Sequence, residues 1–303
     1  MTDVAIVGPG RVGTLLATAV VRAGWRLVGV TGGSATAREA IAERVAGIRT
    51  TATPAEVVAS AELVLLTVPD DAIEPLVTSL AVADTFRDGQ RVVHVAGSRG
   101  LDVLRRAAHC GARVAACHPA MTVPTGATDP ALLVGVAWAV TAAPADRGWA
   151  RDLVGDLGGD PHDVADGMRT LYHAALAVGS NAVGAAVVTA RRLLLAASVE
   201  RPEAFLEPLV RASVANAATH GASALTGPIV RGDLGTVAHH LDVIATDLPE
   251  LVDAYRFLAL ATLEPVRPAL PPDTVAALRA LLGAAGVPAA PATTPDPRPR
   301  PEG

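Results

Sequence analysis

Short apolar runs alternate with amphipathic segments through the first half of the chain. Val4–Val7 and Arg26–Val30 read as strands, with a helix over Arg11–Ala23 between them and another over Thr36–Val45 after them. Leu63–Val68 is a continuous apolar run bounded by polar residues, the pattern of a buried strand. Helices over Asp71–Leu80 and Leu101–His109 then alternate with strands over Arg91–Val95 and Arg113–Cys117. A loop of Pro, Thr and Gly spans Ala120–Pro130, followed by a strand over Val134–Thr141 and a helix over Asp146–Leu157 that Gly158-Gly159 stops. Strands that alternate with helices and are apolar on both faces predict a parallel sheet covered on both sides.

Past Gly167 the strand signal ends. Long Ala-, Leu- and Val-rich helices are predicted near Arg169–Ser198, Glu203–His220, Asp233–Thr246, Pro249–Leu263 and Asp273–Leu282. The expected fold class is an α/β doubly wound parallel Rossmann sheet followed by an all-α C-terminal domain. The boundaries read from composition are 1–166 for the first domain and 167–286 for the second. The Pro-rich stretch 287–303 has no apolar face to bury and is expected to be a disordered tail.

Composition narrows the chemistry. The chain has 303 residues, half of them apolar, and a net charge of −5. Weak acidity and scarce aromatic residues argue against nucleic acid as a partner. All 25 basic residues are Arg, so any step that needs a Lys amine is excluded. The two cysteines, Cys110 and Cys117, form neither a disulfide framework nor a metal cluster, and suit a reducing cytoplasm. No secretory leader is read at the N-terminus. The apolar segment 170–190 carries His173, Ser180 and Asn181, so it is read as a helix buried on most sides, with no membrane involved.

The turn Gly8-Pro9-Gly10-Arg11-Val12-Gly13 follows a strand and opens a helix, the context a dinucleotide-binding turn requires. Gly8 permits the tight turn, Gly10 lets backbone approach a pyrophosphate, and Gly13 lets helix pack on strand. At the end of the second strand Thr31-Gly32-Gly33-Ser34 lacks the acid that NAD sites place on the ribose. Ser34 and Arg38 are positioned to take a 2′-phosphate, which points to NADP; a solvated helix residue is the other reading of Arg38. Val68 and Pro69, at the carboxyl end of the third strand, complete the expected cofactor-binding set with Arg11, Val12 and Thr31.

These residues and others resemble the oxidoreductases that join a Rossmann-like domain to a helical domain catalogued as DUF2520. The matching stretches are Leu65–Ile73, His94–Ser98, His118–Thr122, Tyr172–Ala175 with Asn181, and Leu225–Asp233. The resemblance extends to the wider group of 6-phosphogluconate, β-hydroxyacid and prephenate dehydrogenases and pyrroline-5-carboxylate reductase. It implies NADP-linked hydride transfer and a homodimer formed through the helical domain. Some proteins similar to this family are ketopantoate reductases of a non-standard type, which makes ketopantoate a candidate substrate by analogy. The absent Lys is a departure from β-hydroxyacid dehydrogenases, which use one as proton donor.

Carbonyl reduction needs a proton donor and a group to hold the substrate. His173 is the first candidate donor, on a helix face shared with Ala177, Ser180 and Gly184 and flanked by Asn181. His118 ends a predicted strand, where ligands bind in such sheets, and is assigned to positioning or polarising substrate. For His94 a structural hydrogen bond is the preferred reading. Ser98 either contacts nicotinamide or substrate, or caps the helix at Leu101. Arg231, between Gly227-Pro228 and Gly232-Asp233, either grips a carboxylate with Ser180 or pairs with Asp233. His239-His240 is read as helix surface, and no metal is expected. The expected activity is NADPH-dependent reduction of a small carbonyl, a 2-keto acid such as ketopantoate. The alternatives are imine reduction of the pyrroline-5-carboxylate type and a non-catalytic NADPH-binding regulator.

Overall fold

The computed structural model describes residues 1–45 and 47–283; the expected tail over 287–303 lies outside the described residues. The chain divides into two compact units, one ending at Ser180 and one beginning at Asn181. The first unit holds an eight-stranded sheet in the order β3-β2-β1-β4-β5-β6-β7-β8. In chain order its elements are β1 (Asp3–Val7), α1 (Arg11–Arg22), β2 (Arg26–Thr31), α2 (Ala35–Arg44), β3 (Thr50–Thr51), α3 (Pro54–Ser60), β4 (Leu63–Leu66) and α4 (Asp70–Val82). Then come β5 (Arg91–His94), α5 (Arg105–His109), β6 (Arg113–Pro119), β7 (Ala137–Ala142), α6 (Arg147–Asp156), β8 (Asp160–Asp163) and α7 (Arg169–Ala177).

Alternating side chains of the strands fill two separate cores. Val4, Ile6, Leu63, Leu65 and Val93 face α1 and α6 on one side of the sheet. Ala5, Val7, Val64, Leu66 and Val92 face α3 and α4 on the other. Each fully buried Leu or Val contributes about 1.5–3 kcal/mol relative to an exposed one, so the period-two pattern fixes the strand register.

The expectation of an all-parallel sheet needs one correction. β6 and β7 pair antiparallel, whereas β7 and β8 pair parallel. A parallel neighbour requires a crossover, usually a helix. Between Pro119 and Ala137 the only helical element is the 3₁₀ turn Pro130–Leu133, and the chain doubles back beside the strand it has left. Three elements escaped the pattern: β3 is two residues long, α3 is seven residues of weakly periodic sequence, and β8 reads Asp160-Pro161-His162-Asp163.

In the second unit α8 (Val183–Ala196), α9 (Pro202–His220), α10 (Pro228–Arg231), α11 (Leu234–Asp247), α12 (Val252–Val266) and α13 (Pro272–Leu281) follow one another. Its core gathers Ile229, Val237, Leu241, Leu263 and Leu278 from α10 to α13. The unit boundary falls later than the composition change at 166/167. Arg169, Tyr172 and His173 bond or pack onto the ends of the sheet, which ties α7 to the first unit. A π-helical turn, Val178–Ala182, breaks the regular repeat after α7. It inserts a residue into the turn, so the single face expected to carry His173, Ser180 and Gly184 is interrupted.

Among the described residues one helical stretch, Asp166–Ala196, is long and apolar enough to cross a membrane, and none of its most apolar window is buried within the chain. The expectation of a helix buried on most sides is therefore corrected. α8 has no buried residue, and among the described residues no element covers Val183, Val188 or Leu195.

Candidate functional site

The carboxyl ends of β1, β2, β4, β5 and β6 carry the expected site residues of the first unit, where open α/β sheets bind ligands. The glycine turn follows β1. Gly8 has φ +119°, and its N–H donates to Thr31 O at 2.8 Å. A Cβ at Gly13 would lie 1.9 Å from Gly8 O, so only glycine fits there. Thr67 Oγ1, just past β4, donates to Gly8 O at 2.6 Å and staples the turn to the neighbouring strand. A Cβ at Gly10 would meet nothing within 4 Å, and no side chain caps α1 there. The first amides of α1 are thus left open to a ligand, with the helix dipole favouring an anion.

The β2 corner has the chemistry of a ribose site. Thr31 Oγ1 is buried without a hydrogen-bond partner, an orphan that a ligand hydroxyl would satisfy. Ser34 caps α2, accepting from Ala37 N at 3.1 Å. Arg38 curls back and donates to Gly33 O at 2.7 Å and Gly32 O at 3.2 Å, so its guanidinium sits at this corner. Arg11 donates to Val123 O at 3.2 Å, while Val12 packs against the core. The residues present therefore fit a dinucleotide, through backbone at Gly10 and side chains at Thr31, Ser34 and Arg38.

A second group forms further along the sheet, at the ends of β5 and β6. His118 Nδ1 and the Tyr172 hydroxyl share a hydrogen bond of 2.9 Å. His173 stands edge-on to His118 with ring centroids 5.9 Å apart. Gly97 makes room for both: a Cβ there would lie 2.3 Å from His173 Cδ2 and 3.1 Å from His118 Nε2. Burial, then the nearby Arg169 charge, pulls His118 down to about 4, so it is neutral near pH 7. Burial also raises the Tyr172 hydroxyl above its ordinary value. Ser98 Oγ donates to Asp70 Oδ2 at 2.9 Å at the start of α4. Ser98 does not cap the helix at Leu101; Asp166 Oδ1 does, accepting from Leu101 N at 2.8 Å.

His94 is the structural histidine the sequence predicts. Its Nε2 donates to Gly100 O at 2.9 Å, its Nδ1 accepts from Ala96 N at 3.2 Å, and burial pulls it down to about 4. Cys117 is buried, and burial pushes its thiol up to about 12, so it is inert.

The structure does not unite every predicted residue. Val68 is half-buried and Pro69 exposed at the end of β4. Ser180 and Asn181 sit in the π-helical turn, and the hydrogen bonds joining His118, Tyr172, Ser98 and Asp70 do not include them. Arg231 ends α10 in the second unit and is exposed. It is not paired with Asp233, whose carboxylate caps α11 by accepting from Thr236 N at 3.0 Å. His240 Nδ1 shares a 2.9 Å hydrogen bond with the Tyr255 hydroxyl on exposed helix surface. Among the described residues no group of His, Cys, Asp and Glu is arranged to hold a metal.

Sequence reasoning assigned no role to Tyr172, Asp70, Thr67 or Arg169. The available signal was spacing: Arg169, Tyr172 and His173 stand at i, i+3 and i+4, hence on one helix face.

An open α/β sheet with a glycine turn at its centre and a helical second unit defines the Rossmann-like class of two-domain proteins. Residues 1–119 match the model of the Rossmann-like domain, and residues 136–262 match the model of the domain of unknown function DUF2520. Together the two matches cover most of the chain, which therefore carries a Rossmann-like domain followed by a DUF2520 domain. The second match begins just before β7, where the sheet direction reverses. Among curated proteins no relative matches this chain.

Solved structures do. The "putative NADP oxidoreductase BF3122" of Bacteroides fragilis superposes with a TM-score of 0.73 at 22% identity, over 87% of this chain and 98% of that one. An imine reductase of Myxococcus stipitatus in complex with NADP+ gives 0.63 at 19% identity, over 88% of this chain and 93% of that one. A reductive aminase of Aspergillus terreus in complex with NADPH and ethyl-5-oxohexanoate gives 0.56 at 20% identity, over 94% of each chain. At these identities the likeness establishes the fold.

Proposed function

We propose that this protein is an NADPH-dependent oxidoreductase that reduces a C=O or C=N bond of a small substrate. The observation that carries the reading is a juxtaposition along one edge of the sheet. A glycine turn with an acid-free β2 corner lies at β1 and β2, and a partly buried His118–Tyr172–His173 group lies at β5 and β6. The solved structures named above as an imine reductase with NADP+ and a reductive aminase with NADPH support it by analogy.

Bound NADPH supplies a hydride to the substrate carbon. The chain does the rest. The α1 amides at Gly10 hold the pyrophosphate, Thr31 takes a ribose hydroxyl, and Ser34 with Arg38 takes the 2′-phosphate. His173 donates the proton to the reduced oxygen or nitrogen, and His118, bonded through Nδ1 to the Tyr172 hydroxyl, stands beside it. Burial of His118 and Ala96 limits water around the developing charge.

Two substrate classes divide on charge. A 2-keto acid such as ketopantoate needs a cation for its carboxylate. In the first unit Arg169 is buried against carbonyl oxygens and Arg99 pairs with Asp71 at 2.6 Å, while Asp70 presents a carboxylate. That balance favours a protonated imine. The keto-acid reading rests on Arg231 of the second unit. We place the protein in the cytoplasm, on its free thiols, and as a homodimer. The uncovered apolar residues of α8 and α9, Val188, Phe205 and Leu209 among them, suit a second copy.

The test follows NADPH oxidation across keto acids, ketopantoate included, and cyclic imines. Turnover of at least one compound, faster with NADPH than NADH, is expected. Tight NADPH binding without any turnover would replace the enzyme by a nucleotide sensor. Arg38→Ala should weaken NADPH about tenfold more than NADH; equal weakening removes Arg38 from the 2′-phosphate.

A further inference from the structure

Arg169 is the one charged side chain of the described residues that is almost wholly buried, with 1% of it exposed. Its Nη2 donates to Ala96 O at 2.6 Å, and its Nη1 donates to Thr141 Oγ1 at 3.1 Å and reaches Ala116 O at 3.5 Å. None of these partners is an anion, and its Nε has no partner at all. Buried charges are ordinarily paired, because an isolated one loses its hydration without recompense. A guanidinium bonded only to neutral oxygens, with Asp166 and Asp70 acting on it from a distance, is therefore an expensive way to hold strands together if packing were its only task.

Its place on the helix gives it a second one. Arg169 opens α7, and Tyr172 and His173 stand three and four residues later on the same face. The three acceptors lie just beyond β5, on β6 and on β7. Fixing Arg169 to them fixes the rotation of α7, and with it the approach of Tyr172 and His173 to His118.

We propose that Arg169 is the positioning residue of the His118 group: its hydrogen bonds set the rotation of α7, and its unpaired charge selects the arrangement in which Tyr172 donates to His118 Nδ1. In that arrangement His118 carries its proton on Nε2, toward Gly97 and His173. The charged and titratable groups around His118 are Arg169, Tyr172 and His173 from α7, Asp70 from α4 and His94 from β5. Asp70 acts against Arg169, and burial and Arg169 outweigh it. The role in turnover rests on the oxidoreductase reading; the tautomer and the titration of His118 do not.

Histidine ¹⁵N NMR on the full chain tests the proposal, with the His118 signal assigned by its loss in His118→Gln. In the wild type, His118 should stay neutral from pH 7 to pH 5 with Nδ1 bare and Nε2 protonated. In Arg169→Met its titration should rise by about one pH unit, while Arg169→Lys should keep it low. In an active enzyme Arg169→Met should also cut kcat about tenfold with the NADPH Kd unchanged. An unchanged His118 titration in folded Arg169→Met overturns the proposal. Should that variant fail to fold, a wild-type His118 protonated on Nδ1, or titrating near its ordinary value, overturns it equally.

Discussion

The glycine turn after β1 and the histidine group after β5 and β6 lie on the same edge of one sheet, yet they are built by opposite means. The turn is backbone. Its shape follows from where Cβ atoms are absent at Gly8 and Gly13, and it leaves the first amides of α1 open. The histidine group is side chains from distant parts of the chain. His118 meets Tyr172 across 54 residues of sequence, and Arg169 reaches Ala96 across 73. A site made of local backbone is stable wherever its strand–turn–helix forms. A site made of long-range side chains depends on burial, charge and the rotation of one helix.

Acid separates the two most strongly. His94 and His118 titrate at about 4 in the folded chain, against 6.5 for an unperturbed histidine. The unfolded chain therefore binds their protons first as pH falls. Stability is unaffected above pH 6.5 and declines through the window from 6.5 to about 4. At the bottom of that window the loss is about 3 kcal/mol for each histidine. Denaturant unfolding between pH 7 and 4 should show this decline, and His94→Gln, which keeps a donor and an acceptor, should remove about half of it, leaving the part due to His118. A pH-independent midpoint would mean that these imidazoles are not held neutral.

The next effect falls on the turn. Gly13→Ala places a Cβ 1.9 Å from Gly8 O and 2.7 Å from Thr67 Oγ1. It should weaken NADPH about 100-fold by calorimetry while leaving the His118 titration in place. Unchanged affinity would detach the turn from the cofactor. The reciprocal change is smaller. Gly97→Ala crowds His173 and His118 and should lower kcat about tenfold with cofactor affinity retained. Loss of NADPH binding in Gly97→Ala would show that the two regions are one coupled site.

Legibility in the sequence tracks the same division. The shape of the turn at Gly8, Gly10 and Gly13 was readable, because a strand, a turn and a helix N-terminus follow one another in sequence and each leaves a local pattern. His118 and His173 were readable singly, as imidazoles at a strand end and on a helix. Their meeting was not, nor was Tyr172 as the partner of His118. The turn of β7 against β6 was equally hidden: Val134–Thr141 has the composition of any buried strand, and direction is set by the connection, not by the strand. Arg169 was invisible for a related reason. A lone Arg at the start of a helix is usually solvated, and only the packed ends of three strands turn it into a buried cation.

By itself the sequence determined the two-part architecture, the glycine turn between the first strand and the first helix, and the exclusion of a lysine proton donor. These depend on local periodicity, on residues whose backbone freedom is unique, and on what the chain does not contain. The tertiary structure alone decided that His94 and His118 are held neutral, that His118 meets the Tyr172 hydroxyl, and that a buried guanidinium bonded only to neutral oxygens stands beside them. Burial and long-range contact set those properties, and neither has a signature in the neighbouring residues.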